Sequence, residues 1–91
     1  MLEKQIESRL VDLCKRYGGI AIKLTGYRGI PDRIILNRFG QVMFVELKRP
    51  GKHLRENQIA WQKKLQGMGF KSVMVDSFKS VDALKSFLSG V

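Results

Sequence analysis

The chain has 91 residues, with 17 Lys and Arg against 8 Asp and Glu, a net charge of +9. That length, with 44% hydrophobic and 27% charged residues, suits one folded domain over residues 1–91 and argues against a disordered or fibrous chain. The basic excess points to a polyanionic partner, nucleic acid ahead of an anionic membrane surface, while the absence of a long apolar run argues against a membrane span.

Leu2, Ile6, Leu10, Leu13 and Cys14 recur at helical spacing, which predicts a helix over 2–16 that stops at Gly18-Gly19. The opening MLEKQIESR lacks the apolar stretch of a signal peptide, and the single cysteine excludes an internal disulfide. An intracellular, cytoplasmic setting is the expectation. IAIKLT (20–25) alternates and is rich in β-formers, so it predicts a strand. PDRIILN (31–37) predicts a second, with Pro31 at its start, where proline is allowed. Asn37 to Gln41 reads as a turn with Gly40 left-handed, leading into a third strand over 42–49 that Pro50-Gly51 ends.

Residues 56–68 predict a helix with Ile59, Trp61, Leu65 and Met68 as its apolar positions. SVMVD (72–76) predicts a fourth strand, and Ser80 a capped last helix carrying Val81, Leu84, Phe87 and Leu88. The first three strands should form an antiparallel meander. The fourth should join the third in parallel through a right-handed helical crossover. The expected fold is α/β: a four-stranded mixed sheet with flanking helices.

A three-residue turn at Arg38-Phe39-Gly40 makes facing residue numbers sum to 78, which sets Asp32 opposite Glu46. Lys48 lies two residues on, hence on the same face. A one-residue slip would turn Glu46 away from Asp32. Two carboxylates so close repel unless a cation sits between them, and carboxylate oxygens are the ligands Mg²⁺ prefers. A lysine beside them could position a water or stabilise charge on a phosphate under attack. The same three residues could equally form a weak surface ion cluster. Against that stands the position of Glu46 inside the apolar run Val42 to Leu47, where an uncompensated carboxylate is costly.

Pro31-Asp32 followed by Glu46-Leu47-Lys48 resembles the PD-(D/E)xK nuclease signature. The fuller ordered set is more specific. Glu3 and Ile6-Glu7, Gly18-Gly19, Gly29 to Arg33, Phe44 to Lys48, and then Gln58 and Trp61 together resemble the virus-type replication-repair nuclease (VRR-NUC) family. The likeness runs over residues 3–76.

This resemblance implies an αβββαβ core with an extra C-terminal helix and Mg²⁺- or Mn²⁺-dependent cleavage of DNA. It implies Asp32, Glu46 and the Leu47 carbonyl as metal ligands and Lys48 as the catalytic lysine. Glu7, in preference to Glu3, would be the first-helix acid, and Gln58 would support the lysine and the phosphate. The departure is Leu54-Arg55-Glu56-Asn57 where the family often has a Ser-Pro-like helix start. From size and resemblance, the expected partner is branched or junction DNA met by a homodimer in replication, recombination or repair. The alternative is a non-catalytic basic module that kept the fold.

Lys23, Tyr27, Arg28, Arg33, Lys52 and Arg55 flank this place on loops and strand ends and are candidates for contact with the DNA backbone. Tyr27 could instead stack on an unpaired base. His53, the only histidine, is either a phosphate contact or a solvated loop residue. Trp61 and Cys14 are expected in the core.

Overall fold

The computed structural model describes all residues, Met1 to Val91. Its elements in chain order are α1 (Glu3–Arg16), β1 (Ile20–Lys23), β2 (Arg33–Leu36), β3 (Val42–Leu47), α2 (Glu56–Gly67), β4 (Lys71–Val75), α3 (Phe78–Asp82) and α4 (Lys85–Ser89). No helix is long and apolar enough to cross a membrane. The sheet runs β1-β2-β3-β4, antiparallel for the first two pairings and parallel for the last. This matches the expected meander and crossover.

The β2–β3 register pairs Arg33 with Val45 and Leu36 with Val42, the register expected from the turn. Asn37 builds that turn: its side-chain oxygen accepts from the backbone N–H of Phe39 at 3.0 Å and of Gln41 at 2.9 Å. Its amide nitrogen donates to the Phe87 carbonyl at 2.9 Å, tying the turn to α4. Gly40 has φ +80°, the left-handed value expected of it.

Strand alternation divides the sheet into two faces. Ile35, Met43, Val45, Leu47 and Val75 join Ile6, Leu10, Leu13 and Cys14 of α1 and Val81, Leu84, Phe87 and Leu88 of α3–α4 in one core. Each fully buried aliphatic there contributes about 1.5–3 kcal/mol. The other face carries Phe44 and Ser72 and is crossed by α2, whose Gln62 and Gln66 donate to the Ser72 carbonyl. Phe44 meets Phe70 edge to face at 5.5 Å.

Three expectations need correction. The last helix is two short ones, because Ser77, not Ser80, is its N-cap: the Ser77 side chain accepts from the Ser80 N–H, and Ser80 returns the bond to the Ser77 N–H. On α2, Ile59 and Met68 are exposed while Gln58 is buried, so the apolar spacing there does not mark the covered stripe. Trp61 is only half-buried. Its indole N–H donates to the Arg28 carbonyl at 3.1 Å, so it fastens a loop instead of filling the core. Cys14 is fully buried as expected, and burial pushes its thiol up to about 11, too weak an acid to serve as a nucleophile.

Candidate active site

Asp32 and Glu46 meet at the open end of the β2–β3 hairpin. Asp32 precedes the first residue of β2. Its backbone carbonyl accepts from the Leu24 N–H at 2.9 Å, closing the β1–β2 hairpin loop. Its carboxylate Oδ2 accepts from the Leu47 N–H at 2.8 Å, so the side chain does the work that a ladder carbonyl would do one residue further along. The same bond sets the Leu47 peptide beside the Asp32 carboxylate.

Glu46 is 6% exposed. Burial, then a hydrogen bond and repulsion from Asp32, push its carboxyl up to about 9; Lys48 opposes this and Glu3 adds to it. Asp32, Glu46 and Lys48 therefore stand close enough to act on one another, as the register implied. The Lys48 N–H continues the sheet, donating to the Val75 carbonyl at 3.0 Å, which fixes the lysine backbone although β3 ends at Leu47.

Glu7 is placed elsewhere. It accepts from Arg33 Nε at 3.1 Å, and Arg33 Nη2 lies 3.1 Å from the same oxygen. Arg33 also donates to the Ala21 carbonyl at 3.0 Å. Residue 33 follows Asp32 on an extended chain, so its side chain takes the opposite face of the sheet, toward α1. That alternation is readable in the sequence, whereas the reach of Glu7 across from α1 is not, and together they change two expectations at this site. Arg33 is a half-buried partner of Glu7, not a rim cation open to phosphate, and Glu7 is spent on Arg33 and not on the acid pair. The α1 acid whose field reaches Glu46 is Glu3. No three His, Cys, Asp or Glu side chains are arranged to hold a metal ion by themselves.

Gln58 is buried, and its Oε1 accepts from the Arg55 N–H at 2.8 Å, capping α2. This explains how the helix starts without a Ser-Pro-like lead: the glutamine at its third position takes the free N–H instead. Lys23, Tyr27, Arg28, Lys52, His53 and Arg55 are all exposed. No acid lies between Asp12 and Asp32 or between Glu46 and Glu56, so the stretches that flank the two acids in sequence are a basic collar along the chain.

The donor set fits a hard divalent cation. Two carboxylates that destabilise each other when both are charged, with a backbone carbonyl beside them, are what Mg²⁺ or Mn²⁺ takes while leaving its other positions to water and phosphate. Burial, more than the nearness of Asp32, is what raises Glu46, and a cation between the two acids would offset both.

Comparison with known proteins agrees with this fold. The VRR-NUC domain model matches residues 2–79. The chain is 36% identical over 77 residues to "Putative nuclease p44" of Acyrthosiphon pisum secondary endosymbiont phage 1, covering 82% of this chain and 83% of that protein. A solved structure described as a VRR_NUC domain superposes with a TM-score of 0.84 at 25% identity, covering 92% of this chain and 95% of the other. By its sheet, its hairpin acids and the span of these matches, the chain belongs to the VRR-NUC family.

Proposed function

We propose that this chain is a Mg²⁺- or Mn²⁺-dependent DNA endonuclease that hydrolyses phosphodiester bonds, selective for branched or junction DNA in replication, recombination or repair. Family membership and the phage relative support the nuclease reading. The observation that carries it is the buried Glu46 beside Asp32 with Lys48 at hand, within a basic collar.

Asp32, Glu46 and the Leu47 carbonyl would hold the cation, which supplies a Lewis acid against the charge of the phosphate. The chain's own groups do the rest. The Leu47 N–H orients Asp32, so one ligand is set before substrate arrives. Lys48 supplies a compact cation that orients the attacking water or stabilises the oxyanion formed at phosphorus. Lys23, Arg28, Lys52, His53 and Arg55 contact backbone phosphates and position the strand without reading its sequence. Gln58 stiffens the start of α2. Pairing of two copies, each cutting one strand of a symmetric junction, belongs to the same proposal.

The second reading is a basic DNA-binding module without catalysis, and one observation favours it: Glu7, the first-helix acid that the resemblance implies, is tied to Arg33. A panel of linear, flapped and four-way DNAs with Mg²⁺, with Mn²⁺ and with EDTA separates the two. The nuclease reading expects cutting that EDTA stops and that Glu46→Gln lowers by about 10²–10³-fold. Full cutting by Glu46→Gln, or none by the wild type on any substrate, defeats it.

A further inference from the structure

The loop that carries Asp32 also carries an aromatic side chain that the chemistry above does not use. Tyr27 is 69% exposed, an unusual position for a large ring, yet it is not loosely held. Its ring leans on Trp61 with centroids 5.7 Å apart and planes at 55°. Lys64 Nζ lies 5.5 Å from the Trp61 ring, adding a cation to the same stack.

The loop is fastened at three points. The Leu24 N–H bonds the Asp32 carbonyl at its base, the Ile30 N–H bonds the Tyr27 carbonyl at 3.3 Å, and the Trp61 indole holds the Arg28 carbonyl. Gly29 then seats the loop on α2. With φ +83° it lies so close that an added Cβ would be 2.9 Å from the backbone of Asn57. Tyr27, Trp61 and Lys64 are thus gathered at the loop that leads into Asp32, with one ring held out toward solvent.

We propose that Tyr27, backed by Trp61, is a stacking platform for an unpaired nucleobase, and that it makes the chain prefer DNA with unpaired nucleotides beside the cut over intact duplex. The inference rests on the nuclease reading for its setting, and it names the substrate feature which that reading leaves open. In a duplex the π-faces of bases are hidden by their neighbours, so a protruding ring finds a partner only where a base has left the stack. Arg28 in the same loop and Lys64 on α2 carry the charge to hold the flanking phosphates. A ring fixed before binding loses little conformational freedom on contact, which favours stacking by a held tyrosine over a mobile one.

The test is binding, measured with Ca²⁺ in place of Mg²⁺, so that it reads independently of cutting. The DNAs are a blunt duplex and the same duplex with a short unpaired flap carrying 2-aminopurine. The wild type should bind the flapped DNA about tenfold tighter and quench the 2-aminopurine, with a change in Trp61 emission, the only tryptophan signal of the chain. Tyr27→Ala should erase both the preference and the quenching, bringing affinity for the flapped DNA down to that for the duplex, and Tyr27→Phe should keep both. A flap preference that survives Tyr27→Ala, or an equal loss on both DNAs, overturns the proposal. Absence of cutting by any form would defeat the nuclease reading and leave this measurement standing.

Discussion

Two charged clusters in this molecule teach opposite lessons. At the seam of α1 and α3, Arg9 clasps Asp82 with two hydrogen bonds of 2.9 and 2.8 Å, in the open, with the guanidinium also over the Phe78 ring at 4.6 Å. Arg9 holds the Asp82 carboxyl below its ordinary range. At the hairpin end, Glu46 is buried against another acid and is pushed up to about 9. The first cluster is complete within the chain. The second keeps its proton near neutral pH instead of finding a full ionic partner, and a strongly shifted group of this kind marks a candidate functional site.

The contrast should be largest in the response to pH without divalent metal. Glu46 holds its proton more tightly folded than unfolded, so the folded chain binds more protons between about 4.5 and 9. Raising the pH across that window should therefore remove stability that is fully present below it. Melting temperature should fall steadily from pH 5 to 9, Glu46→Gln should flatten the slope, and saturating Mg²⁺ or Mn²⁺ should restore the wild type most at the alkaline end. A slope unchanged by Glu46→Gln would place the effect elsewhere.

Next in size is Gly29→Ala, which forces a side chain onto Asn57 at a positive φ and should cost about 1–3 kcal/mol in denaturant unfolding. Glu7→Gln comes third. It leaves the half-buried Arg33 with a weaker partner and should lower stability by about 1–2 kcal/mol, between the values for surface and buried pairs. Glu3→Gln should leave stability nearly alone and weaken metal binding instead. If calorimetry finds the metal loss with Glu7→Gln, the two acids have exchanged parts. The smallest change belongs to Asp82→Asn: melting near pH 7 and nicking of plasmid should both stay close to wild type, because that pair lies at the surface, where water screens it.

What could be read from the sequence was what local geometry decides. The turn at Asn37 to Gln41 sets the register, and the register sets Asp32 against Glu46. What could not be read depends on how elements cross. Whether Glu3 or Glu7 looks toward Glu46 is fixed by the angle of α1 over the sheet, which its own residues do not encode. Trp61 and Ile59 misled because α2 covers only part of its sheet face, so an apolar residue on that helix is not thereby buried. Gln58 stands out in the sequence by its place after the Glu46-Leu47-Lys48 strand, whereas its bond to the Arg55 N–H depends on where the helix starts. Asn37 was legible as a turn residue, whereas its reach to the Phe87 carbonyl spans 50 positions and has no local signature.

The bond from the Leu47 amide to the Asp32 carboxylate has an evolutionary corollary. One of the two acids doubles as a rivet for the strands, while its neighbour, on the proposed nuclease reading, is a buried burden kept for cutting alone. A lineage released from the need to cut should therefore discard Glu46 early, gaining firmness as it does so, and keep Asp32 long after the blade has gone dull. Decayed descendants of this domain would be recognised by that order of loss.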